Sequence, residues 1–219
     1  SHRDAVWIAS AMSDGDAHVQ RENGDEPFSV DAPHGGTFRV RFVESDDEAY
    51  DRFYNIIANP MLWFIQHYLW DLSNAPDIRR HEVVAFEEGY QQVNRDLAEA
   101  VVDEIEGQEE PVVMVHDYQL YTLPGMVRRA RPGVFLHHFV HIPWTQPDAW
   151  RVLPSRIRDD IRQNRRSATP LWAKTMSRNA VAGMTQASPR VRAVTLADRL
   201  IPSTPVRITV PPSEMSITA

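Results

Sequence analysis

No cysteine occurs among the 219 residues. Disulfides and thiolate metal sites are therefore excluded, and the composition suits a reducing cytoplasm. Long apolar runs are also missing, none approaching the roughly 20 residues that a bilayer span requires. The opening Ser1-His2-Arg3-Asp4 is polar and carries no signal-peptide hydrophobic segment. Glycine-rich phosphate loops are lacking too. Neither G-x-G-x-x-G nor G-x-x-x-x-G-K-[ST] is present, and Gly35-Gly36 is only a pair ahead of a strand. There is no G-x-S-x-G nucleophile elbow. The dinucleotide-oxidoreductase and hydrolase readings lose their usual support. Basic residues are in deficit, 23 against 30 acidic ones, for a formal net charge of −7. Such a surface repels phosphate backbones, so neither nucleic acid nor membrane is the expected partner.

What the sequence does have is enough apolar material, 42% of residues, for one sizeable core. Its charge is unevenly spread. Residues 1–161 hold 28 of the 30 acidic residues and 14 of the 23 basic ones, whereas 162–219 hold nine basic residues and only Asp198 and Glu214 as acids. The later part is rich in proline, serine and threonine, as in Ile201-Pro202-Ser203-Thr204-Pro205. We place a boundary at Ile161, with a Rossmann-like domain over 1–161 and a divergent, irregular or disordered tail over 162–219.

Ala5-Val6-Trp7-Ile8-Ala9 reads as a buried strand, and turn signals fill Ser13 to Pro33. Phe38, Val40 and Phe42 alternate with Arg39 and Arg41, the period of a half-exposed strand. A helical pattern runs from Asp46 with Tyr50, Phe53 and Ile57 on one side, and Asn59-Pro60 is expected to interrupt it. The apolar segment Met61–Trp70 suggests a second helix buried on most sides. Glu82 to Gly107 is the clearest helix, its stripe made by Phe86, Tyr90, Val93, Leu97, Val101 and Ile105.

Val112-Val113-Met114-Val115 is a continuous apolar run ending in His116-Asp117. Thr122 is placed to cap a helix that carries Pro124 in its first turn and stops at Pro132-Gly133. Val134 to Val140 is a second apolar strand, ending in His141. Strand, helix, strand of this kind is a βαβ unit, and continuous apolar strands imply a parallel sheet covered on both faces. The fold class expected is α/β, a Rossmann-like parallel sheet with helices on both faces. Ligands of such sheets sit beyond the carboxyl ends of the strands, where Asp117 and His141 fall.

A carboxylate there binds sugar hydroxyls, and an imidazole does the same or moves a proton. The plain structural alternative makes Asp117 a cap and His141 an edge residue. His137, His138 and His141 form no metal-ligand pattern, since 137 and 141 share one strand face and 138 points to the other. Tyr54, Trp63, Tyr68 and Trp70 cluster as core aromatics do, or as the wall of a sugar pocket does.

Several of these segments together carry a family likeness. Tyr54-Asn55, Asn59-Pro60-Met61-Leu62-Trp63 and His67-Tyr68 resemble the tyrosine–asparagine, N-x-x-L-W and H-Y signatures of trehalose-6-phosphate synthases. Tyr90-Gln91-Gln92-Val93-Asn94 resembles their Y-x-x-V-N helix, and Val115-His116-Asp117-Tyr118-Gln119-Leu120 their V-H-D-Y-x-L segment. His138-Phe139-Val140-His141-Ile142-Pro143 resembles their F-F-L-H-I-P strand end. Leu153-Pro154 follows at a similar interval. The likeness covers residues 5 to 161.

The resemblance implies the N-terminal half of a retaining, two-Rossmann-domain glycosyltransferase of carbohydrate metabolism. It implies transfer of glucose from a nucleotide sugar, UDP-glucose, to glucose 6-phosphate, with no metal or other cofactor in catalysis. By carry-over, Tyr54 and Trp63 contact glucose 6-phosphate, Asp117 binds acceptor hydroxyls, and His141 lies by the donor sugar at the reacting centre. Two family elements find no match here: an early arginine-containing loop for the acceptor phosphate, and the donor-binding second domain. The isolated chain is therefore expected to be inactive. The alternatives are a non-catalytic sugar-phosphate-binding or regulatory subunit, acting as a homo-oligomer or beside a full-length relative, and a relative that joins cyclitols into a pseudo-disaccharide. The tail reads either as a shifted reading frame or as a divergent natural segment.

Overall fold

A computed structural model describes residues 5–32, 35–69, 78–142, 144–168 and 193–197. Six strands form one sheet in the order β2-β3-β1-β6-β4-β5. These are β1 (Val6–Ser10), β2 (Phe28–Asp31), β3 (Thr37–Val43), β4 (Val112–His116), β5 (Phe135–Phe139) and β6 (Ala193–Ala197). Only the edge strand β2 is antiparallel to its neighbour; every other pairing is parallel. The expected α/β class and parallel sheet are what the chain adopts.

Between β1 and β2 runs α1 (Asp14–Asn23), opened by a capping box between Ser13 and Asp16. After β3, α2 (Asp47–Asp51) passes into a wide π-helical stretch (Arg52–Trp63) and ends as α3 (Phe64–Gln66). The chain therefore does not stop at Asn59-Pro60: Pro60 lies inside the helix. A proline in a regular helix collides with the carbonyl four residues back, and the widened turns give its ring room. The segment after Pro60 is less enclosed than its composition suggests, because Trp63, Tyr68 and Leu69 are exposed.

The long helix after residue 80 is built the same way, from α4 (Arg80–Ala85), a π stretch (Phe86–Tyr90) and α5 (Gln91–Glu104). All six residues of its predicted stripe are buried. The two π stretches pack closely at Gly89, where an added Cβ would stand 2.4 Å from Cβ of Arg52 and 2.9 Å from the backbone nitrogen of Phe53. No larger residue fits that approach.

Beyond β4, a 3-10 turn (Tyr118–Leu120) leads to α6 (Leu123–Ala130), and a second 3-10 turn (Ala149–Val152) leads from β5 to α7 (Ser155–Arg165). Helix α7 runs through Ile161, which is buried. Residues 193–197, read from sequence as part of an irregular tail, form β6 in the middle of the sheet, paired with β1 and β4.

Arg41 departs from the half-exposed reading of β3. Its side chain is only 6% exposed, and it donates from Nη1 to the carbonyl of Ala100 at 3.2 Å. Its Nη2 lies 3.1 Å from Asp25 and 3.4 Å from Asp103. Helix α5 covers that face of the sheet, so alternation signals two faces without saying that one is wet. Carboxylates at the rim partner the buried guanidinium.

Candidate functional site

Strands β4 and β5 are adjacent, and Val115 pairs with His138. Their carboxyl ends present His116-Asp117 on one and His141 on the other. Nδ1 of His116 lies 3.3 Å from Nε2 of His141, so the two predicted strand ends meet through a residue the sequence reading passed over. Its sequence signals are its position at the end of an apolar run and its place in the V-H-D-Y-x-L segment. Burial holds His116 below the usual imidazole range, and the neighbouring His141 and His137 add to the effect. His141 itself is exposed.

Asp117 has φ 71° and ψ 173°, a conformation almost confined to glycine. Its N–H donates to the carbonyl of Phe139 at 2.7 Å. Its carbonyl accepts from Nε2 of His138 at 2.8 Å and from the Leu120 N–H at 3.4 Å. Its carboxylate accepts from the Tyr118 N–H at 3.0 Å. Strain held in place at a strand end is characteristic of residues kept for function.

The loop after Asp117 is fixed from below by the helix. Tyr90 donates its hydroxyl to the carbonyl of Tyr118 at 2.8 Å and accepts from the Tyr121 N–H at 3.1 Å. One turn on, Asn94 donates to the carbonyl of Gln119 at 3.0 Å and accepts from the Leu123 N–H at 3.1 Å. The Y-x-x-V-N segment thus has a physical meaning, since residues four apart share one helix face and together satisfy the loop's backbone. Asn94 also does the work expected of Thr122, whose side chain makes no cap hydrogen bond.

On the other side stands Trp63, 37% exposed. Its ring lies on His67 with centroids 3.6 Å apart and stands 5.8 Å from Tyr118. Tyr118 donates to Oδ1 of Asn59 at 3.0 Å, tying the π stretch to the end of β4. Trp63, Asp117 and His141 are therefore joined through Tyr118 and His116. Tyr54, nine residues earlier on the same helix, stacks on Tyr50 with centroids 6.1 Å apart. Past β5, exposed Trp144 stacks on buried Trp150 at 4.5 Å, with Arg165 3.9 Å from its ring centroid. Trp70 and Pro143 lie outside the described residues. An exposed ring, a carboxylate and an accessible imidazole side by side are the means of holding a polyhydroxylated ring: apolar C–H surface on the aromatic, hydroxyls on the polar groups.

In an open α/β sheet, the carboxyl ends of the parallel strands, where this site lies, are where ligands bind. The sequence profile of Glycosyltransferase family 20 matches residues 1–163, and the chain belongs to that family. It is 30% identical over 188 residues to a validamine 7-phosphate valienyltransferase of Streptomyces hygroscopicus subsp. jinggangensis, a match covering 85% of this chain and 37% of the relative. It is 35% identical over 115 residues to an alpha,alpha-trehalose-phosphate synthase [UDP-forming] of Aspergillus fumigatus, covering 51% of this chain and 21% of the relative. Among solved structures it resembles an alpha,alpha-trehalose-phosphate synthase (UDP-forming) from Burkholderia xenovorans in complex with glucose-6-phosphate. That likeness has a TM-score of 0.51 and 23% identity, covers 75% of this chain and 39% of the other, and is one of fold. The chain spans little more than a third of the valienyltransferase. That alignment is longer than the family match, so it extends into the segment after Ile161, which thus carries more relationship to the family than its composition suggests. Among the described residues, no helix is long and apolar enough to cross a membrane.

Proposed function

We propose that these residues form the acceptor-binding side of a retaining transferase that moves a sugar unit from a nucleotide sugar, UDP-glucose in the first instance, to glucose 6-phosphate. The observation that carries the reading is the continuous row of Trp63, Tyr118, Asp117, His116 and His141 at the carboxyl ends of β4 and β5. Trp63 supports the pyranose face, Asp117 accepts hydrogen bonds from acceptor hydroxyls, and His141 faces the reacting centre. Tyr54 joins Trp63 in contacting glucose 6-phosphate. Transfer depends on holding two substrates in register, so a domain that binds one of them contributes binding without turnover.

Calorimetric titration of the 219-residue protein with glucose 6-phosphate tests this, with UDP release from UDP-glucose followed in parallel. Saturable binding, lost on Asp117→Asn and weakened on Trp63→Ala, without UDP release, is the expected result. No heat at millimolar glucose 6-phosphate would refute the acceptor assignment, and UDP release in the presence of both substrates would refute the need for a separate donor side.

The second reading is a cyclitol phosphate acceptor, favoured by the valienyltransferase match, which covers 85% of this chain against 51% for the trehalose-phosphate synthase. Tighter binding of validamine 7-phosphate than of glucose 6-phosphate in the same titration would select it. The two acceptors differ in ring oxygen and substituents, not in the phosphate.

A further inference from the structure

Positions 138 and 140 are where this chain departs from the F-F-L-H-I-P pattern, and at 138 the departure puts a hydrogen-bond donor in place of an apolar ring. The carbonyl of Asp117 turns toward β5 because of the residue's left-handed φ of 71°. There it meets Nε2 of His138 at 2.8 Å. A phenylalanine has nothing to donate to that oxygen. The opposite imidazole nitrogen, Nδ1 of His138, is buried with no hydrogen-bond partner. These contacts favour one tautomer over the other. A proton on Nδ1 would leave a buried N–H unsatisfied and set the Nε2 lone pair against the carbonyl lone pairs, whereas a proton on Nε2 makes the hydrogen bond. Tyr121, whose ring meets His138 edge-on at 5.7 Å, holds the imidazole plane.

From these contacts we infer that His138 is a positioning residue: as the neutral Nε2–H tautomer it pins the Asp117 carbonyl and thereby aims the Asp117 carboxylate at the acceptor. That the carboxylate meets an acceptor rests on the reading given under Proposed function. The pinning itself does not. A strained peptide keeps its conformation only if its surroundings over-determine it. The Phe139 carbonyl fixes one end of Asp117, and His138 fixes the other. Without the imidazole donor, the carbonyl retains only the 3.4 Å contact with Leu120.

Three measurements on the full chain decide the matter. Long-range imidazole nitrogen NMR on the wild type reports the tautomer, and Nε2–H is expected. Amide hydrogen exchange at Asp117 and Tyr118 is compared in wild type, His138→Phe and His138→Gln. Glucose 6-phosphate affinity is measured on the same three proteins. Phenylalanine keeps the buried bulk and removes the donor, while glutamine places an N–H close to where Nε2 stands. His138→Phe is expected to raise exchange at both amides and weaken binding about ten-fold, the size of one lost hydrogen bond. His138→Gln should restore most of both. An Nδ1–H tautomer would overturn the inference, as would His138→Phe matching wild type or His138→Gln falling as far as His138→Phe. If the wild type binds no glucose 6-phosphate, the acceptor reading fails, and tautomer and exchange still decide for or against the pinning.

Discussion

Nδ1 of His116 and Nε2 of His141 stand 3.3 Å apart, with their rings inclined by 25°. One of the two must donate and the other accept, and His141 helps to hold His116 below the usual imidazole range. Replacing His141 by alanine removes a neighbour that depresses His116. The imidazole of His116 should then titrate at higher pH than in wild type, yet still below an unburied histidine, because burial is the larger cause. Carbon-bound proton shifts of His116 followed by NMR against pH check this; an unchanged midpoint would contradict the coupling.

Acid should weaken the fold in a defined window. Burial brings His138 from the ordinary 6.5 down to about 4. Between those values the unfolded chain holds a proton that the folded chain refuses, so stability falls as pH drops from 6.5 toward 4 and is fully present above 6.5. The shift corresponds to roughly 3 kcal/mol. His116 and His137, also lowered by burial, act in the same direction. Urea midpoints for wild type and His138→Phe across this range should converge in shape at the high end and diverge at the low end, the variant losing less.

Asp117 offers a test of function held against stability. At φ 71° an alanine is as strained as the aspartate, while a glycine is not. Asp117→Gly should therefore be more stable than Asp117→Ala by about 1 to 2 kcal/mol, the reverse of the usual order. Neither variant should bind glucose 6-phosphate. Denaturant unfolding of the two side by side measures the difference.

Gly89→Ala is expected to destabilise by roughly 1 to 3 kcal/mol, because its methyl group would meet backbone and Cβ atoms of the facing helix at under 3 Å. A net stabilisation of about 0.5 to 1 kcal/mol, as helix propensity alone would give, would mean that the two π stretches separate freely. Thermal and urea midpoints give the answer.

Much of this architecture could be read from residue order. Continuous apolar runs at 112–115 and 134–140 fixed the parallel pair, and the stripe from Phe86 to Ile105 fixed its covering helix. Asp117 and His141 followed from the geometry of strand ends. Other features depend on relations that order does not encode. Pro60 lies within a helix because the turns around it are wide, which residue order alone does not reveal. Arg41 is buried because α5 happens to cross it, 59 residues later in the chain. His116 gains meaning only when the end of β5 is placed beside it. Residues 193–197 are apolar but sit in a basic, Pro-, Ser- and Thr-rich segment that suggests a tail, and only their pairing reveals a strand.

That strand governs how the protein must be made. Take β6 away and the sheet falls into two ribbons, β2-β3-β1 and β4-β5, facing each other with bare edges at Val6–Ser10 and Val112–His116. A ribosome delivers every other described element before it delivers the piece that unites them. Until then the growing polypeptide carries two open, apolar edges that will accept any compatible strand. Its hazard lies in the minutes of its birth rather than in its finished form, and yield in a cell should track chaperone supply more closely than the melting temperature of the completed fold.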